Sequence, residues 1–430
     1  MIVKVIPSQK LKGQITLPAS KSYSIRAFII AACGGVSTIV NSSDCDDAKV
    51  SMRVAKALGS RIVRVDDNSW QVSADINKRL PPKIDVGESG TALRFLLPLA
   101  SFRGDSVFIE GKGTLQGRPN MYLTQVLRDM GANIRGKSNN ESIPIRIRNG
   151  YIHTGRINID ASLSSQFISA LIIACPRLLE DTTLSLKGKK IVSSDYITMT
   201  MQVLKKCGIK IVKDNNRKYI IPGNQKFKGL NDFLVPSDYG LAAFVMAAAV
   251  LIDSNVALQG AFCDELIQAD GQIIPLIKRM GAEFVKTSKY IKIKGPFVLK
   301  GGDFNLKDCP DLVPIMSILA LFAKGRTRLY GIKHARVKES DRISDLRKEL
   351  LKIGAKVEEK NDELIIYPQD EYKKDCLLDP HNDHRLAMSF SVLGLKLGVC
   401  VKNMECCSKS YPKFLTDIKS LGAKFTKSPK

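Results

Sequence analysis

An apolar helical pattern recurs six times along this chain and constrains its fold more than any local motif does. The helices begin at intervals of 69 to 75 residues, near Lys21, Gly90, Ser165, Asp238, Asp311 and Asp383. A second marker, a helical run ending in glycine, recurs at intervals of 68 to 77 residues, at Gly59, Gly131, Gly208, Gly281, Gly354 and Gly422. Two markers that keep one spacing over 430 residues indicate six copies of one structural unit.

The third copy illustrates how each copy is expected to fold. An apolar helix opens at Ser165, and the alternating apolar residues over 182–186 predict a strand after it. A second helix is predicted over 196–206, because Gly208 follows where a left-handed glycine ends many helices. Residues 209–212 are then expected to form a short strand. This alternation of strands and helices places the chain in the α/β class.

The first helix of each copy is apolar nearly all round, as at 28–32 and 243–249. A helix of this kind is buried inside a protein or a membrane. No apolar run reaches the roughly 18 residues that a membrane span needs, and Arg26, Arg94 and Arg385 stand near the helix starts. We therefore expect burial in a protein core and no membrane partner.

A chain of 430 residues is too long for one core, so two domains of three copies each are expected. The strand-like segments 2–6 and 14–17 precede the first copy, and we expect them to complete the other domain. The expected division is 1–19 with 235–430 for one domain and 20–234 for the other.

Ten cysteines are present without a metal-binding or disulfide pattern. No Cys-x-x-Cys motif occurs, and the adjacent Cys406 and Cys407 cannot easily chelate one ion. His381 and His384 have no Cys and no third His nearby in the sequence, so we expect no zinc site. Free thiols, and a start that runs directly into a strand without a signal segment, predict a cytoplasmic protein.

The formal net charge of +24 makes nucleic-acid binding a candidate function. The lysines, however, are spread over the whole chain, and aromatic residues make up only 7% of it. The interleaved basic and aromatic residues that are typical of single-strand binders are therefore missing. We expect most of this charge to lie on a solvated surface and no nucleic-acid partner.

Cations and hydroxyl groups concentrate at the starts of the six first helices. A helix start exposes unpaired N–H groups and attracts anions. Lys21, Arg94 and Arg385 place cations there, and Ser164 and Ser165 add neutral donors. If three copies pack around a pseudo-threefold axis, three such starts converge on one face of each domain. The sequence therefore predicts binding of phosphate or carboxylate groups.

Seven strings distributed from end to end resemble the enolpyruvyl transferase family, and within it the members that act on shikimate-3-phosphate. The matching strings are LPASKS at 17–22, GTALRF at 90–95, GRP at 117–119, SSQF at 164–167, KESDR at 338–342, DHRLAM at 383–388 and KSYP at 409–412. The resemblance implies two domains, each of three βαβαββ copies in an inside-out α/β barrel, that close on the substrates.

The resemblance also implies two sets of binding residues. The shikimate-3-phosphate set is Lys21, Ser22, Arg26, Ser164, Ser165, Ser193, Asp311 and Lys338. The phosphoenolpyruvate set is Lys21, Gly90, Arg118, Gln166, Arg342, Arg385 and Lys409. The family's inhibitor glyphosate is expected to compete with phosphoenolpyruvate near Gly90.

The implied reaction transfers the enolpyruvyl group of phosphoenolpyruvate to the 5-hydroxyl of shikimate-3-phosphate and releases phosphate, on the shikimate pathway to chorismate and the aromatic amino acids. Asp311 is expected to act as the base for the hydroxyl, Glu339 as the acid for the methylene carbon, and Lys21 as a second proton carrier. No metal or other cofactor is expected, because the cations can hold the phosphate charge. The enzyme is expected to be a monomer.

The chain departs from the family pattern at three places. Tyr239 and Gly240 follow Asp238 where relatives usually have paired serines, and Glu88 stands where Asn is common. His334 stands where some relatives use Asn against the shikimate, and we include it among the substrate-binding residues. These departures bear on ligand affinity.

Three other functions remain to be weighed. The sister transferase that acts on UDP-N-acetylglucosamine has a reactive Cys before its Gly-x-Arg-Pro string, but no Cys occurs here between Cys45 and Cys175. A nucleic-acid protein, either an RNA binder or an RNA-terminal-phosphate cyclase built on related repeats, predicts salt-sensitive retention on heparin or RNA. An inactive paralogue that only binds would show no turnover.

Overall fold

The computed structural model describes residues 1–428. These residues form six four-stranded sheets with helices between the strands. The helices are α1 (Lys21–Ala31), α2 (Asp46–Ala57), α3 (Gly90–Ser101), α4 (Met121–Asp129), α5 (Ser165–Ala174), α6 (Ser194–Lys206), α7 (Tyr239–Leu251), α8 (Ile273–Arg279), α9 (Val313–Leu321), α10 (Ser344–Lys352), α11 (His384–Leu397) and α12 (Phe414–Ser420). The strands are β1 (Ile2–Ile6), β2 (Lys10–Thr16), β3 (Val36–Val40), β4 (Arg61–Arg64), β5 (Ser69–Ser73), β6 (Lys83–Asp85), β7 (Val107–Glu110), β8 (Asn133–Lys137), β9 (Ser142–Arg148), β10 (Gly155–Asp160), β11 (Thr182–Lys187), β12 (Val212–Asn215), β13 (Lys218–Ile221), β14 (Phe233–Leu234), β15 (Asp253–Gln259), β16 (Phe284–Lys286), β17 (Tyr290–Ile293), β18 (Asp303–Asn305), β19 (Thr327–Tyr330), β20 (Lys356–Lys360), β21 (Glu363–Tyr367), β22 (Leu377–Leu378), β23 (Val399–Val401) and β24 (Lys424–Ser428).

Each sheet repeats one topology, which the third copy shows. Strand β10 pairs parallel with β11 across the crossover helix α5, and β11 pairs antiparallel with β13. Strand β12, which follows α6, pairs antiparallel with β13 at the edge of the sheet. The chain order in this copy is therefore βαβαββ, and all six sheets have the same spatial order of strands. The prediction of six α/β copies is confirmed.

Three copies take one strand from a distant part of the chain. Strand β1 pairs antiparallel with both β23 and β24 and so becomes the last strand of the sixth copy. Strand β2 pairs parallel with β15 and opens the fourth copy. In return, β14 pairs parallel with β3 and opens the first copy. The N-terminal segment therefore contributes one strand each to the sheets of the fourth and sixth copies.

The chain divides into two compact units. We call Ala19–Val235 the continuous unit, and Met1–Pro18 together with the segment that begins at Pro236 the discontinuous unit. The expected domain division, 1–19 with 235–430 and 20–234, differs from these limits by one residue at each crossing.

The first helix of each copy lies in the core. All residues of α7 are buried, and α7, α9 and α11 pack against one another inside the discontinuous unit. In the continuous unit α3 packs on both α1 and α5. Within residues 1–428, no helix combines the length and the apolar character that a bilayer crossing requires.

The strand predicted over 209–212 is wrong, because this segment begins inside a helix cap. The Ile209 amide donates to the carbonyl of Leu204 (3.0 Å), and the Gly208 amide donates to that of Lys205 (3.0 Å). This pair of bonds is the Schellman arrangement, which satisfies the last carbonyls of α6. The edge strand β12 consequently begins only at Val212.

All six marker glycines have positive φ, and two of them in the continuous unit make a matched test. A Cβ at Gly131 would lie 1.9 Å from the carbonyl oxygen of Tyr151, whereas one at Gly208 would meet the flexible Lys228 side chain at 3.0 Å. Both alanine substitutions carry the left-handed backbone penalty of roughly 1–2 kcal/mol. Gly131→Ala should lower the urea midpoint clearly more than Gly208→Ala, and equal losses would contradict the steric argument.

Candidate functional site

In the discontinuous unit, one buried guanidinium joins three carboxylates. The Arg342 side chain is 1% exposed. Its Nε donates to Asp383 Oδ2 (2.6 Å), its Nη1 to Asp311 Oδ1 (2.6 Å) and its Nη2 to Glu339 Oε2 (2.8 Å). Asp383 also caps α11, because its Oδ1 accepts the Arg385 amide at 2.8 Å. Arg342 thus fixes the start of α11 to the turn that precedes α9. We call Arg342 and these three carboxylates the Arg342 cluster.

A second buried arginine extends this cluster to the start of α7. Arg385 Nη2 lies 2.8 Å from Asp311 Oδ2 and 3.3 Å from Asp270 Oδ2. At Gly240, in the first turn of α7, a Cβ would lie 3.0 Å from Arg385 Nη1. The starts of α7, α9 and α11 therefore meet at one guanidinium, as the helix-start argument predicts for a domain of three copies.

The charges in this group shift one another's protonation. Burial alone would raise the pKa of Asp311, but Arg385, Arg342 and Lys338 hold that pKa well below its usual range. The stability contributed by ionised Asp311 is therefore present above its unfolded pKa of about 3.9 and is lost as pH falls toward the folded value. Burial opposes the charge on Arg342, yet Asp383, Asp311 and Glu339 keep its pKa well above the ordinary value.

Lys409, Lys338 and His334 lie in the same unit near the Arg342 cluster. Lys409 Nζ is 3.9 Å from Glu339 Oε1, and the charge of Lys338 acts on both Asp311 and His334. Burial, followed by Lys338, lowers the pKa of His334 to about 3, so its imidazole is neutral. His334 Nε2 is buried, and no hydrogen-bond partner for it occurs within residues 1–428.

In the continuous unit, Lys21 begins α1 and is paired with a carboxylate. Its Nζ lies 3.1 Å from Asp47 Oδ2, and both side chains are largely buried. Ser20 caps the helix by accepting the Tyr23 amide, which leaves Lys21 and Ser22 at the positively polarised end of α1.

Gly90 begins α3 directly beside Arg118. A Cβ at Gly90 would lie 2.7 Å from Arg118 Nη1. The Glu88 carboxylate lies against Gly113. A Cβ at Gly113 would lie 2.3 Å from Glu88 Oε1. Gly113 has a φ of 59°, so the turn that leads to Arg118 needs glycine for both reasons.

Gln166 is held in one orientation at the start of α5. Its Oε1 accepts from Arg94 Nη1 (2.5 Å), and its Nε2 donates to Thr91 Oγ1 in the first turn of α3 (3.0 Å). Arg94 also donates to the Pro119 carbonyl (3.1 Å), which connects it to the segment after Arg118. The starts of α3 and α5 are thereby tied together.

All three nitrogens of the Arg26 guanidinium donate hydrogen bonds to oxygens of the protein. Its Nε donates to Thr200 Oγ1 (2.9 Å), its Nη1 to the Ser22 carbonyl (3.0 Å) and its Nη2 to the Tyr196 carbonyl (2.9 Å). Burial lowers the pKa of Arg26 to about 10, which keeps it charged at neutral pH. These bonds fix α1 to α6.

The remaining predicted serines lie at helix starts of the continuous unit. Ser164 caps α5 by accepting the Gln166 amide (3.3 Å), and Ser165 is the first residue of that helix. Ser193 precedes α6 with φ 54° and ψ 42°, a left-handed conformation that is unusual for a non-glycine residue and concentrates at functional sites.

No group of three or more His, Cys, Asp or Glu side chains in residues 1–428 is arranged to hold a metal ion. His381 instead places its Nε2 3.2 Å from Glu349 Oε1, and Glu349 Oε2 accepts the amide of Asp379 (2.8 Å). This arrangement anchors the segment that enters α11. The ten cysteines are free thiols.

Comparison with known proteins identifies the family that carries these features. The model of the EPSP synthase (3-phosphoshikimate 1-carboxyvinyltransferase) family matches residues 5–418. The chain therefore belongs to the EPSP synthase family. A 3-phosphoshikimate 1-carboxyvinyltransferase of Methanocaldococcus jannaschii is 37% identical over 98% of this chain and 98% of its own length. The enzyme of the same name from Methanococcus aeolicus is 36% identical over 97% and 98%.

Solved structures agree with this membership. An EPSP synthase from Acinetobacter baumannii superposes with a TM-score of 0.80 at 25% identity and covers 99% of this chain and 100% of its own. The enolpyruvyl transferase NikO from Streptomyces tendae has a TM-score of 0.79 at 17% identity, which bears on the fold alone.

Sequence reasoning missed three carboxylates that form ion pairs with the predicted cations of this EPSP synthase family member. Asp47 beside Lys21, Asp270 beside Arg385 and Asp383 beside Arg342 were not predicted as site residues. Asp383 stood within a matched string, so its proximity to Arg385 could have drawn attention to it. Asp270 is 115 positions from Arg385, and no string near it carries a signal.

Arg342 offers a direct test of how much the site depends on buried charge balance. Replacing it with methionine keeps the volume but leaves the buried Asp383 and the largely buried Asp311 and Glu339 without their shared cation, which should cost about 3–5 kcal/mol. The melting temperature of Arg342→Met should therefore fall strongly. Arg326→Met in the same unit removes an exposed pair with Asp303 and serves as the control, with little change expected. Similar shifts in both variants would contradict this account.

Proposed function

We propose that the Arg342 cluster with Arg385 and the cations of the continuous unit bind the substrates of the family reaction. As a member of the EPSP synthase family, the chain transfers the 1-carboxyvinyl group of phosphoenolpyruvate to the 5-hydroxyl of shikimate-3-phosphate and releases phosphate. The observation that best supports our residue assignment is the meeting of three helix starts at Arg385 beside Asp311. Convergent helix starts and guanidinium groups suit phosphate and carboxylate ligands.

For phosphoenolpyruvate we assign residues from both units. In the continuous unit these are Lys21, Gly90, Arg118 and Gln166, and in the discontinuous unit Arg342, Arg385 and Lys409. Gly90 supports this assignment because the absence of a side chain there gives an anion access to the α3 start beside Arg118. Gln166 is held by Arg94, so its amide is already oriented before a ligand arrives.

For shikimate-3-phosphate we assign Lys21, Ser22, Arg26, Ser164, Ser165, Ser193, Asp311, His334 and Lys338. Serine hydroxyls at helix starts add donors for a phosphate group, and the neutral His334 has a buried Nε2 that a substrate hydroxyl can meet. Arg26 would bind ligand only by exchanging one of its present bonds to Thr200, Ser22 or Tyr196.

The proposed chemistry moves two protons in the first step and reverses both transfers in the second. In the first, Asp311 accepts the proton of the 5-hydroxyl as its oxygen bonds to C2 of phosphoenolpyruvate, while Glu339 protonates the methylene carbon. In the second, phosphate leaves with the proton held by Asp311, and the new methyl group returns a proton to Glu339. The low pKa of Asp311 keeps it ionised, so that its carboxylate can accept this proton. Lys21, held by Asp47, is the second proton carrier.

Mixing the protein with both substrates tests the function directly. Inorganic phosphate should appear only when phosphoenolpyruvate and shikimate-3-phosphate are both present, and a single-turnover experiment should detect the tetrahedral intermediate. UDP-N-acetylglucosamine in place of shikimate-3-phosphate should give no phosphate. Binding of both substrates without turnover would instead identify an inactive paralogue.

We propose further that the enzyme is a cytoplasmic monomer without a nucleic-acid partner. Free thiols suit a reducing compartment, and every one of the six sheets is completed by strands of this chain. Light scattering should give a mass near 47.4 kDa. Retention on an RNA column that shikimate-3-phosphate does not alter would favour the nucleic-acid alternative.

Asp311→Asn should lower kcat by a factor of about 100 or more, as for loss of a positioned base. Asp311 is not a helix cap here, because its carboxylate bridges Arg342 and Arg385. The amide keeps the shape, so binding of shikimate-3-phosphate, measured by calorimetry, should persist. A lowered melting temperature with an unchanged kcat would show that the residue is structural.

Gly90→Ala should raise the inhibition constant of glyphosate more than it raises the KM of phosphoenolpyruvate. The added methyl would stand 2.7 Å from Arg118 Nη1 and so displace the guanidinium, which a longer inhibitor tolerates less well than a shorter substrate. Gly117→Ala is the matched control, since its Cβ would meet nothing within 4 Å. Equal changes in both constants would contradict the placement of this pocket.

Glu88 provides a second arm of the glyphosate experiment. If the unaltered enzyme is already resistant and Glu88→Asn restores inhibition, the carboxylate over Gly113 is the cause of the resistance. Insensitivity of the unaltered enzyme, Glu88→Asn and Gly90→Ala alike would show that the inhibitor site is elsewhere.

A further inference from the structure

A short turn carries Asp270, and Gln268, the residue before that turn, holds it at the start of α7. Gln268 Oε1 accepts the Tyr239 amide (3.1 Å), and its Nε2 donates to the Ser237 carbonyl (2.8 Å). These two bonds attach the short 3-10 turn Ala269–Gln272 to the first turn of α7. The Asp270 carboxylate is therefore presented to the N-terminal end of a buried 13-residue helix, where a negative charge is stabilised.

Gly240 makes room for this carboxylate and for the arginine beside it. A Cβ at Gly240 would lie 2.4 Å from Asp270 Oδ2 and 3.0 Å from Arg385 Nη1. Any side chain at this position would therefore displace one or both groups. Asp270 is only 6% exposed, so its carboxylate has little water to compensate for a lost partner.

Arg385 forms ion pairs with two carboxylates. Its Nη2 lies 2.8 Å from Asp311 Oδ2 and 3.3 Å from Asp270 Oδ2. Two acids on one guanidinium reduce the positive potential that it offers to an incoming anion, and they restrict the plane in which it lies.

We propose that Asp270 is a positioning residue for phosphoenolpyruvate, which holds the guanidinium of Arg385 in place and regulates the net charge that the substrate meets there. The inference rests on the proposed function, in which Arg385 binds phosphoenolpyruvate. Asp270 does not itself contact the reacting atoms. It acts through Arg385.

The surroundings of Asp270 place its ionisation within the working pH range. Burial, the largest effect, raises its pKa to about 7 against the opposing charge of Arg385. Asp311 before α9 and Asp238 at the α7 start raise it further, and Lys338 lowers it. Below that pH a neutral Asp270 leaves Arg385 balanced by Asp311 alone, and above it a second negative charge opposes the anionic substrate.

Steady-state kinetics of the full chain between pH 5.5 and 9 can isolate this ionisation. Asp270→Asn keeps an oxygen that can accept from Arg385 but cannot ionise, and Asp270→Ala removes both properties. Gly271→Ala is the matched control in the same turn, because its Cβ would meet Tyr239 at an ordinary 3.7 Å. The ionisation of phosphoenolpyruvate itself is common to all variants and cancels when their KM values are divided.

Four results are expected. The KM of phosphoenolpyruvate for the unaltered enzyme, divided by that for Asp270→Asn, should rise about threefold or more as the pH passes from 6 to 8.5. At every pH this KM should be several-fold higher for Asp270→Ala than for Asp270→Asn, because Arg385 loses an orienting partner. The KM of shikimate-3-phosphate should be unchanged in both variants, and Gly271→Ala should match the unaltered enzyme.

A ratio that is constant with pH, or an equal change in the KM of both substrates, would overturn the proposal. If the Asp270 variants do not fold, Gly240→Ala replaces them, because its methyl displaces the carboxylate without removing it. A raised KM for phosphoenolpyruvate alone, whose ratio to that of the unaltered enzyme changes with pH, would then support the proposal, and a ratio that is constant with pH would refute it. Absence of any turnover in the unaltered enzyme would refute the proposed function instead, so the two failures are distinguishable.

Discussion

The contact between Arg342 and its three carboxylates is the interaction on which the discontinuous unit most depends. A buried arginine is expensive to desolvate, and it is tolerated here because each side of its guanidinium meets a negative charge. The same contact joins the cap of α11, the turn before α9 and the loop that holds Glu339. Asp311 and Arg385 therefore occupy fixed positions as a consequence of charge balance, and the arrangement of the proposed active groups follows from the packing of three helix starts.

In the continuous unit, the buried Arg26 and Arg94 donate to a different kind of acceptor. Arg26 and Arg94 donate to hydroxyl, amide and carbonyl oxygens, which are neutral, and both also lie over aromatic rings. Neutral acceptors satisfy the donors of a guanidinium without cancelling its charge. The positive potential of Arg26 is consequently retained, whereas that of Arg342 and Arg385 is largely balanced. The two units, built from the same repeat, thus present different electrostatic environments to an anion.

The sequence periodicity predicted the architecture well because each structural repeat carries the same local sequence features at a regular spacing. The six apolar helices, the glycines that end the second helices and the cations at helix starts are all local features, and the structure places them as expected. The residues that complete the site are not local. Asp270 reaches Arg385 across 115 positions, and only the packing of the turn at 269–272 on α7 brings them together. The strand predicted at 209–212 failed for a related reason, since the hydrogen bonds of a helix cap took precedence over apolar alternation.

The exchange of strands at the N-terminus has a consequence for the order in which the molecule can form. During synthesis the continuous unit is complete once β14 has emerged, because β14 supplies its last missing strand. Strand β1 emerges first, yet its partners β23 and β24 are translated last. Nearly the whole polypeptide must therefore leave the ribosome before the sixth sheet can close. Until then the backbone groups of β1 lack the partners that β23 and β24 supply in the finished sheet.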